Sequence, residues 1–314
     1  MELRYGILST SSIAPRFIAG VGQAGAGQVV ALSSRTLEKA REKAAQWNIP
    51  RAYGSHEALL QDQDVDIVYI STVNSLHYKW AKAALEQGKH VICEKPCTVS
   101  PEQTRELFAL AREKGRFLME AQKMLFLPAV LALRRCIEEG QLGEISMVQL
   151  SSSFAPGYNG WLFDKDAGGG MLLSSGIYGL ELMLWLFGPI RSIRGVCTAE
   201  PGQAEWQFAY CGETESGVLF TMRNTTRGVL ENEAVVYGSE GTARLPSFWK
   251  ARELTVCRKD SAPQVYAYPC EHELAYEAQH IADCMAMGLL TSPVVTPELT
   301  LQAIEAIEEL KTSW

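Results

Sequence analysis

The strongest constraint on the fold is an alternation of short apolar segments with amphipathic segments of helical length over residues 1–121. Apolar runs of strand length at 3–8, 28–32 and 66–71 each precede a segment with helical periodicity. Strands that alternate with helices in this way are typical of a parallel, doubly wound sheet. Further strands are predicted at 91–93 and 117–121, and helices at 16–21, 36–47, 77–86 and 101–114, with Thr36 and Ser100 as N-caps.

After residue 121 the pattern changes to longer segments in which apolar and polar residues alternate with a period of two. This pattern predicts an open, mostly antiparallel sheet with strands at 145–154, 190–198, 203–211, 218–224, 229–237 and 254–258. Helices predicted at 177–187, 274–287 and 297–310 would cover one face of that sheet, and another is predicted at 129–139. The fold class is therefore α/β with a C-terminal α+β domain. We place the domains at 1–121 and 122–314, with the last helix, 297–311, a candidate for packing back on the first.

Composition excludes several classes of function. At 314 residues the chain is long for one hydrophobic core, so two domains are expected. A net charge of −7 argues against a surface for nucleic acid or an anionic membrane. The eight cysteines are scattered and no signal peptide is recognisable, so we expect reduced thiols in a cytoplasmic protein. We expect no metal, because Cys270, His272 and His280 lack ligand spacing.

The turn after the first strand occupies the position of the glycine-rich G-x-G-x-x-G motif of dinucleotide-binding folds. It reads Ser9, Thr10, Ser11, Ser12, Ile13 and Ala14, with Ser9, Ser11 and Ala14 at the three glycine positions. Small side chains still allow a pyrophosphate to approach the helix N-terminus, where free N–H groups favour anions. The first domain is therefore a candidate Rossmann domain. An ordinary capped helix start is the alternative interpretation of this turn.

The end of the second strand indicates which cofactor is preferred. A carboxylate at this point would bind the ribose hydroxyl of NAD, but the chain has Ser34 and Arg35, with Lys39 one helical turn further on. A serine and a guanidinium group can bind a 2′-phosphate through charge-assisted hydrogen bonds. The preferred cofactor is therefore predicted to be NADP(H), with NAD(H) possible. Alternatively, Arg35 covers the adenine ring or points to water.

A lysine follows the strand at 91–93, within the sequence Gly-Lys-His-Val-Ile-Cys-Glu-Lys-Pro that ends at Pro96. Because Pro96 disfavours helical geometry for Lys95, the strand must break into a loop here. Ligands of doubly wound sheets bind outside the carboxyl ends of the strands. Lys95 is therefore either a catalytic group or a surface lysine at a strand end.

These residues, taken in order, resemble the Gfo/Idh/MocA oxidoreductases over essentially the whole chain. The serine-rich first turn is similar to the branch that contains the dihydrodiol and xylose dehydrogenases. The matching positions are Asn74, His77, Ala83–Val91, Glu94–Pro96, Glu120–Gln122, Gly140, Gly143, Trp161, Gly168–Gly170, Tyr178 and Gly238–Thr242.

The resemblance implies hydride transfer between a nicotinamide and a secondary alcohol or carbonyl of a small sugar, cyclitol or diol. It implies that Lys95 hydrogen-bonds the reacting oxygen and that Tyr178 is the general acid/base. The cofactor site would also include Thr72, Asn74, His77, Glu94, Lys95 and Gln122. The substrate site would include Lys95, Trp161, Ser174 and Tyr178. A homodimer, or a dimer of dimers, through the C-terminal sheet is also expected.

One position departs from the family pattern. Many relatives carry an aspartate four residues before the tyrosine or histidine, and this chain has Ser174. Either substrate binding differs or activity is weaker. A cofactor-binding sensor without turnover is therefore the alternative function, and lyase- or hydrolase-like use of a bound cofactor is a third. The alternative for Tyr178 is a structural one, in which its ring packs in the hydrophobic core. The same alternative applies to four residues that could line an apolar substrate pocket: Met124, Tyr158, Trp161 and Phe163.

Overall fold

The computed structural model describes residues 2–154 and 160–314, so the pocket candidate Tyr158 lies outside the described residues. The described chain divides into two compact units. The first holds the chain up to Lys123 together with His272–Thr300, and the second holds Met124–Glu271 and Leu301–Trp314. The helices in chain order are α1 (Ala14–Ala24), α2 (Leu37–Gln46), α3 (His56–Leu60), α4 (His77–Glu86), α5 (Pro101–Lys114), α6 (Pro128–Glu138), α7 (Ile177–Phe187), α8 (Leu274–Ala286) and α9 (Pro297–Thr312).

In the described part of the first unit, the strands form a six-stranded parallel sheet in the order β3-β2-β1-β4-β5-β6. This order is that of a Rossmann fold, so the predicted doubly wound sheet is confirmed. Thr36 and Ser100 cap α2 and α5 as predicted, because their hydroxyls accept the N–H groups of Lys39 and Gln103. The strands are β1 (Arg4–Leu8), β2 (Gln28–Ser33), β3 (Arg51–Tyr53), β4 (Ile67–Ile70), β5 (His90–Glu94) and β6 (Leu118–Ala121).

The segment His272–Thr300 belongs to the first unit, where α8 packs against α1. The prediction that the helix at 274–287 covers the sheet of the second domain is therefore wrong. The two helices pack closely: a Cβ built on Gly20 of α1 would lie 2.8 Å from the carbonyl carbon of Leu274 in α8. Just before α8, Glu273 forms an ion pair with Arg16. Shortly after α8, the Leu290 carbonyl accepts a hydrogen bond of 3.1 Å from the Leu118 N–H. Helical periodicity specifies that α8 has an apolar face, but not which layer covers that face.

The described part of the second unit contains an eight-stranded sheet in the order β14-β13-β12-β11-β7-β10-β9-β8. Neighbouring strands are antiparallel except β7 and β10, which are parallel, so the predicted mostly antiparallel sheet is confirmed. Buried and exposed residues alternate along β10, as expected for a sheet with one covered face. The strands are β7 (Ile145–Ser153), β8 (Ile190–Thr198), β9 (Gln207–Thr214), β10 (Leu219–Thr225), β11 (Glu233–Gly238), β12 (Gly241–Pro246), β13 (Glu253–Arg258) and β14 (Gln264–Ala267).

None of the helices in the described ranges is both long and apolar enough to cross a lipid bilayer. All eight cysteines are free thiols in the described structure.

The packing of α8 on α1 is tested by a pair of glycine substitutions in one helix. Gly20→Ala should destabilise the protein by about 1–3 kcal/mol, because the new methyl group meets the α8 backbone. Gly22→Ala is the matched control: nothing lies within 4 Å of its Cβ position, so the gain in helix propensity should stabilise by about 0.5–1 kcal/mol. Thermal unfolding midpoints measure both changes. If both variants shift in the same direction, α8 does not constrain Gly20.

Candidate functional site

The turn between β1 and α1 connects three strand ends of the first unit. Ser9 has a φ of 97°, a conformation that glycine adopts more readily than serine. Its N–H donates to the Ser33 carbonyl at the end of β2, at 3.2 Å. The Ser11 hydroxyl donates to that of Ser71, just after β4, at 2.8 Å. The serine turn therefore takes the course expected of a glycine-rich turn, at the point where the strand order reverses.

The N-terminus of α1 is suited to an anion. The helix begins at Ala14 with Ile13 as its N-cap, and no side chain caps its first turn. Ala14 and Arg16 donate their N–H groups to the carbonyls of Ser11 and Ile13, at 3.2 and 3.0 Å, and Pro15 has no N–H. The terminus therefore offers a ligand chiefly the positive end of the helix dipole. The serine turn and the helix start therefore fit the pyrophosphate of a dinucleotide.

The end of β2 presents two cationic side chains. Ser34 is buried, and its N–H donates to the Tyr53 carbonyl at 3.1 Å. Arg35 and Lys39 are both exposed, and Glu38 is the acidic residue in the first turn of α2. The balance of charge at this strand end is thus positive, which fits a phosphate better than a bare ribose.

The lysine turn, Glu94–Cys97, follows β5. Lys95 is half-buried, and the peptide bond between it and Pro96 is cis. The Glu94 carboxylate accepts a hydrogen bond from the Tyr69 hydroxyl on β4, and the Tyr69 ring stacks on Phe17 of α1 with a centroid distance of 3.8 Å. Side chains of the neighbouring strand and helix therefore fix the start of the turn.

His77 lies beneath this turn and is 1% exposed. Its Nδ1 lies 2.7 Å from the Pro96 carbonyl oxygen, and its Nε2 lies 3.1 Å from the Thr72 carbonyl oxygen. Burial lowers the pKa of His77, while the two carbonyl groups and Glu94 act in the opposite direction. The ring therefore connects the loop after β4 to the loop after β5. Asn74, also buried, begins the short 3₁₀ turn that leads to His77.

The end of β6 carries several buried polar groups. Gln122 is fully buried, and neither amide atom has a hydrogen-bond partner within the described residues. Burial, together with the charges of Arg16 and Lys95, lowers the pKa of Lys123 to about 8. Burial also raises the pKa of Glu277 on α8. Lys123 and Glu277 had not been identified from the sequence, and nothing in their local patterns distinguishes them from surface charges.

In the second unit, Ser174 and Tyr178 lie one turn apart where a π-helical turn, Leu172–Gly176, continues into α7. Both are half-buried, although the residues between them are buried, so the two side chains share the accessible face. The hydroxyl of Ser175 lies 2.9 Å from that of Ser152 and accepts a hydrogen bond from Asn224 at 3.2 Å. The π-helical turn is thus fixed at the carboxyl ends of β7 and β10.

Two of the three glycines before this turn, Gly169 and Gly170, are required by close contacts. A Cβ on Gly169 would lie 2.5 Å from the Leu162 carbonyl oxygen, and one on Gly170 would lie 2.3 Å from the Glu205 carboxylate. That carboxylate accepts the N–H of Leu172 at 2.9 Å, so it fixes the first residue of the π-helical turn. Glu205 had not been identified from the sequence.

Of the pocket candidates, Trp161 is 39% exposed and begins the short 3₁₀ turn that packs on Gly169. Phe163 is half-buried, whereas Met124 is fully buried and belongs to the core. The described residues contain no group of three or more His, Cys, Asp or Glu side chains that could hold a metal ion.

Comparison with family models gives two matches that together cover most of the chain. Residues 3–122 match the model described as oxidoreductase family, NAD-binding Rossmann fold (GFO_IDH_MocA). Residues 130–244 match the GFO/IDH/MocA C-terminal domain.

Individual relatives match over nearly their full length. The trans-1,2-dihydrobenzene-1,2-diol dehydrogenase of Mus musculus is 33% identical over 99% of this chain and 96% of the relative. The enzyme of the same name from Xenopus laevis is 30% identical over 94% of this chain and 93% of the relative. Among solved structures, a 3-ketoreductase from Actinomadura kijaniata, in complex with NADP and TDP-benzene, is similar with a TM-score of 0.91. It is 25% identical, and the match covers 100% of this chain and 98% of that one.

Proposed function

The chain belongs to the Gfo/Idh/MocA family of oxidoreductases, and from that premise we propose that it is an NADP(H)-preferring dehydrogenase. Its substrate would be a secondary alcohol, or the corresponding carbonyl, of a small sugar, cyclitol or diol. The observation that carries this proposal is a half-buried lysine at the carboxyl end of β5, in a sheet whose first turn is shaped for a dinucleotide. The relatives named as dihydrodiol dehydrogenases support a diol in particular.

Within the first unit, each part of the cofactor has candidate partners. The Ser9–Ile13 turn and the N-terminus of α1 would hold the pyrophosphate. Ser34, Arg35 and Lys39 would hold the 2′-phosphate. The residues around the lysine turn would hold the nicotinamide half, namely Thr72, Asn74, Glu94, Lys95 and Gln122. The buried His77, predicted as a further contact, would support that turn without touching the cofactor, since both of its ring nitrogens face backbone carbonyl oxygens. When bound, the cofactor supplies hydride exchange with the substrate carbon.

Lys95 and Tyr178 would carry the chemistry at the substrate oxygen. The Lys95 ammonium group would donate a hydrogen bond to that oxygen and stabilise the negative charge that develops during oxidation. The Tyr178 hydroxyl would exchange the proton of that same oxygen, and Ser174, one turn earlier on the same face, would bind the substrate. Trp161 would add an apolar contact.

Conservative substitutions of the two residues test these roles. Lys95→Met and Tyr178→Phe should each lower kcat by about 10²- to 10⁴-fold, because each removes a group that acts on the reacting oxygen. The Kd for NADPH, followed by fluorescence energy transfer from tryptophan, should change far less than kcat, by about tenfold at most for Lys95→Met and about threefold for Tyr178→Phe, since the pyrophosphate and 2′-phosphate contacts are retained. Lys259→Met and Tyr266→Phe are matched controls at exposed positions.

The alternative function, a cofactor-binding sensor without turnover, rests on Ser174, which supplies no negative charge where many relatives have an aspartate. If the unmodified protein binds NADPH but oxidises no member of a panel of aldoses, cyclitols, diols and dicarbonyls, the sensor is the better interpretation. Turnover close to wild type in the lysine and tyrosine variants would contradict the assigned roles.

Cofactor preference is tested at the end of β2. Arg35→Asp should shift the preference from NADPH toward NADH by about 10- to 100-fold in kcat/KM, because a carboxylate repels the 2′-phosphate and accepts a ribose hydroxyl. Arg41→Asp makes the same change of charge at an exposed position on α2, the helix that follows Arg35, and should leave the preference unchanged. An unchanged preference in Arg35→Asp would mean that the 2′-phosphate binds elsewhere.

We also propose that the chain forms a homodimer through the open face of the second unit's sheet. Val196 of β8 and Leu219 of β10 are 69% and 48% exposed on the described structure. Val196, Arg194 and Arg223 line a cavity of about 550 Å³, and Leu219 lies two positions before Thr221, which also lines it. Apolar side chains on a broad sheet face are typical of a surface that a second copy covers.

Leu219→Asp should shift the protein from dimer toward monomer, because each copy would bury a carboxylate directly opposite Glu213 of β9. Light scattering coupled to size-exclusion chromatography measures the mass. Val229→Asp, at a residue that is 84% exposed in a loop, is the control and should leave the mass unchanged. A wild-type protein that is already monomeric at high concentration would contradict the proposal.

A further inference from the structure

The peptide unit between Pro96 and Cys97 is held at both of its polar atoms by buried side chains. The Pro96 carbonyl oxygen lies 2.7 Å from Nδ1 of His77. The Cys97 N–H donates to Oε1 of Glu120 on β6, also at 2.7 Å. Both residues of the peptide unit are buried, and so are both side chains that hold it. We call this arrangement the peptide clamp; it lies immediately after Lys95.

Each clamp residue has a further contact on its far side. Nε2 of His77 lies 3.1 Å from the Thr72 carbonyl oxygen, and Oε2 of Glu120 accepts the Thr300 hydroxyl at 2.8 Å. The clamp thus connects the loop after β4, the turn after β5, the strand β6 and the end of the His272–Thr300 segment. All of these parts belong to the first unit.

Burying an ionisable side chain is costly, so the use of two of them for one peptide group requires a reason. A loop peptide at a protein surface is ordinarily satisfied by water. Here the peptide lies in the interior, and a hydrogen bond to a carboxylate is stronger and more directional than one to water. The result is a rigid point of attachment for the backbone one residue beyond Lys95.

The hydrogen-bonding capacity of His77 agrees with this function. A neutral imidazole carries one donor, while the two groups that face its nitrogens are both acceptors. The contact to Pro96 is the shorter one, so the neutral ring donates from Nδ1 to the clamped peptide, and its unprotonated Nε2 packs against the Thr72 carbonyl oxygen without a hydrogen bond. The charged groups that act on the ring, Glu94 and Lys95, are themselves members of the lysine turn.

From this geometry we infer that His77 and Glu120 are positioning residues for Lys95: by fixing the Pro96–Cys97 peptide, they determine where the lysine ammonium group lies. The inference rests on the proposed function, in which that ammonium group contacts the reacting oxygen. Neither side chain takes part in the chemistry. Misplacement of a catalytic group by about 1 Å can cost about 100-fold in rate. Correct placement of Lys95 therefore explains why two ionisable side chains are buried at this point.

Paired substitutions separate positioning from bulk stability. His77→Phe and Glu120→Ala remove the clamp bonds and should lower kcat by about 10- to 100-fold, while the Kd for NADPH changes by less than about threefold. His77→Asn places an amide N–H where Nδ1 lies, and Glu120→Gln retains an acceptor for the Cys97 N–H. These two conservative variants should therefore recover most of kcat. Because both residues hold one peptide, the double variant His77→Phe/Glu120→Ala should lose less than the sum of the single losses.

His280→Phe is the matched control. His280 lies in the same unit on α8, and its Nε2 lies 2.8 Å from the hydroxyl of Ser292, a residue that is not part of the peptide clamp. It should lower stability without lowering kcat. If Glu120→Ala and His77→Phe retain kcat within about twofold, or if the conservative variants fail to recover it, the inference is wrong.

Hydrogen exchange of the cofactor-free protein provides a measurement that does not require activity. In Glu120→Ala, amide exchange in the peptide covering residues 94–100 should become at least about tenfold faster, while exchange in β4 is unchanged. Glu120→Gln should retain the slow exchange. If the wild type turns over no substrate, the proposed function fails but exchange still decides whether the clamp exists. Unchanged exchange in Glu120→Ala, in a protein that is active, overturns the clamp alone.

Discussion

The burial of the Glu120 carboxylate is the constraint on which the first unit depends. A fully buried carboxylate must be hydrogen-bonded, and its two oxygens accept from Cys97 in the turn after β5 and from Thr300 at the start of α9. The first 123 residues alone cannot supply the second of these bonds. Thr300 belongs to a segment of the first unit that follows the second unit in sequence, so the core of the first unit is completed only by that later segment. The segment includes α8, and Gly20 allows α8 to pack closely on α1.

Elements with strong local signals were predicted well, because their information lies within a few residues. The helix bounds Pro101–Lys114 and His77–Glu86 and the strand Ile190–Thr198 were each predicted correctly. The strands β3 and β14 were missed, because Arg51–Tyr53 is too short for a period to register and all four residues of β14 are exposed. The strand β12 was interpreted only as a glycine-rich motif, although Gly238–Gly241 is the turn of a β-hairpin.

The candidate site was predictable where position in the fold decides the chemistry. The serine turn was found from its place after the first strand, and the structure adds that Ser9 adopts a backbone conformation suited to glycine. A search for glycines would have missed it. The backbone contacts of Glu120 and Glu205, and the burial of Lys123, were not predictable from the sequence. Their significance comes from burial and from partners distant in sequence, such as Leu172, which lies 33 residues before Glu205.

In both units, a buried glutamate accepts a backbone N–H close in sequence to a candidate catalytic side chain. In the first unit, a buried glutamate accepts the backbone N–H two residues after Lys95; in the second, a buried glutamate accepts the N–H of Leu172, six residues before Tyr178. A charged acceptor bonded to a backbone donor is strong and fixes direction, so each fixes the segment that carries a candidate catalytic side chain. Glu120 and Glu205 act on the backbone, whereas the aspartate that Ser174 replaces would act on the substrate. On the proposed function, Ser174 in place of that aspartate changes either substrate binding or the level of activity, while the support of Lys95 and Tyr178 stays in place.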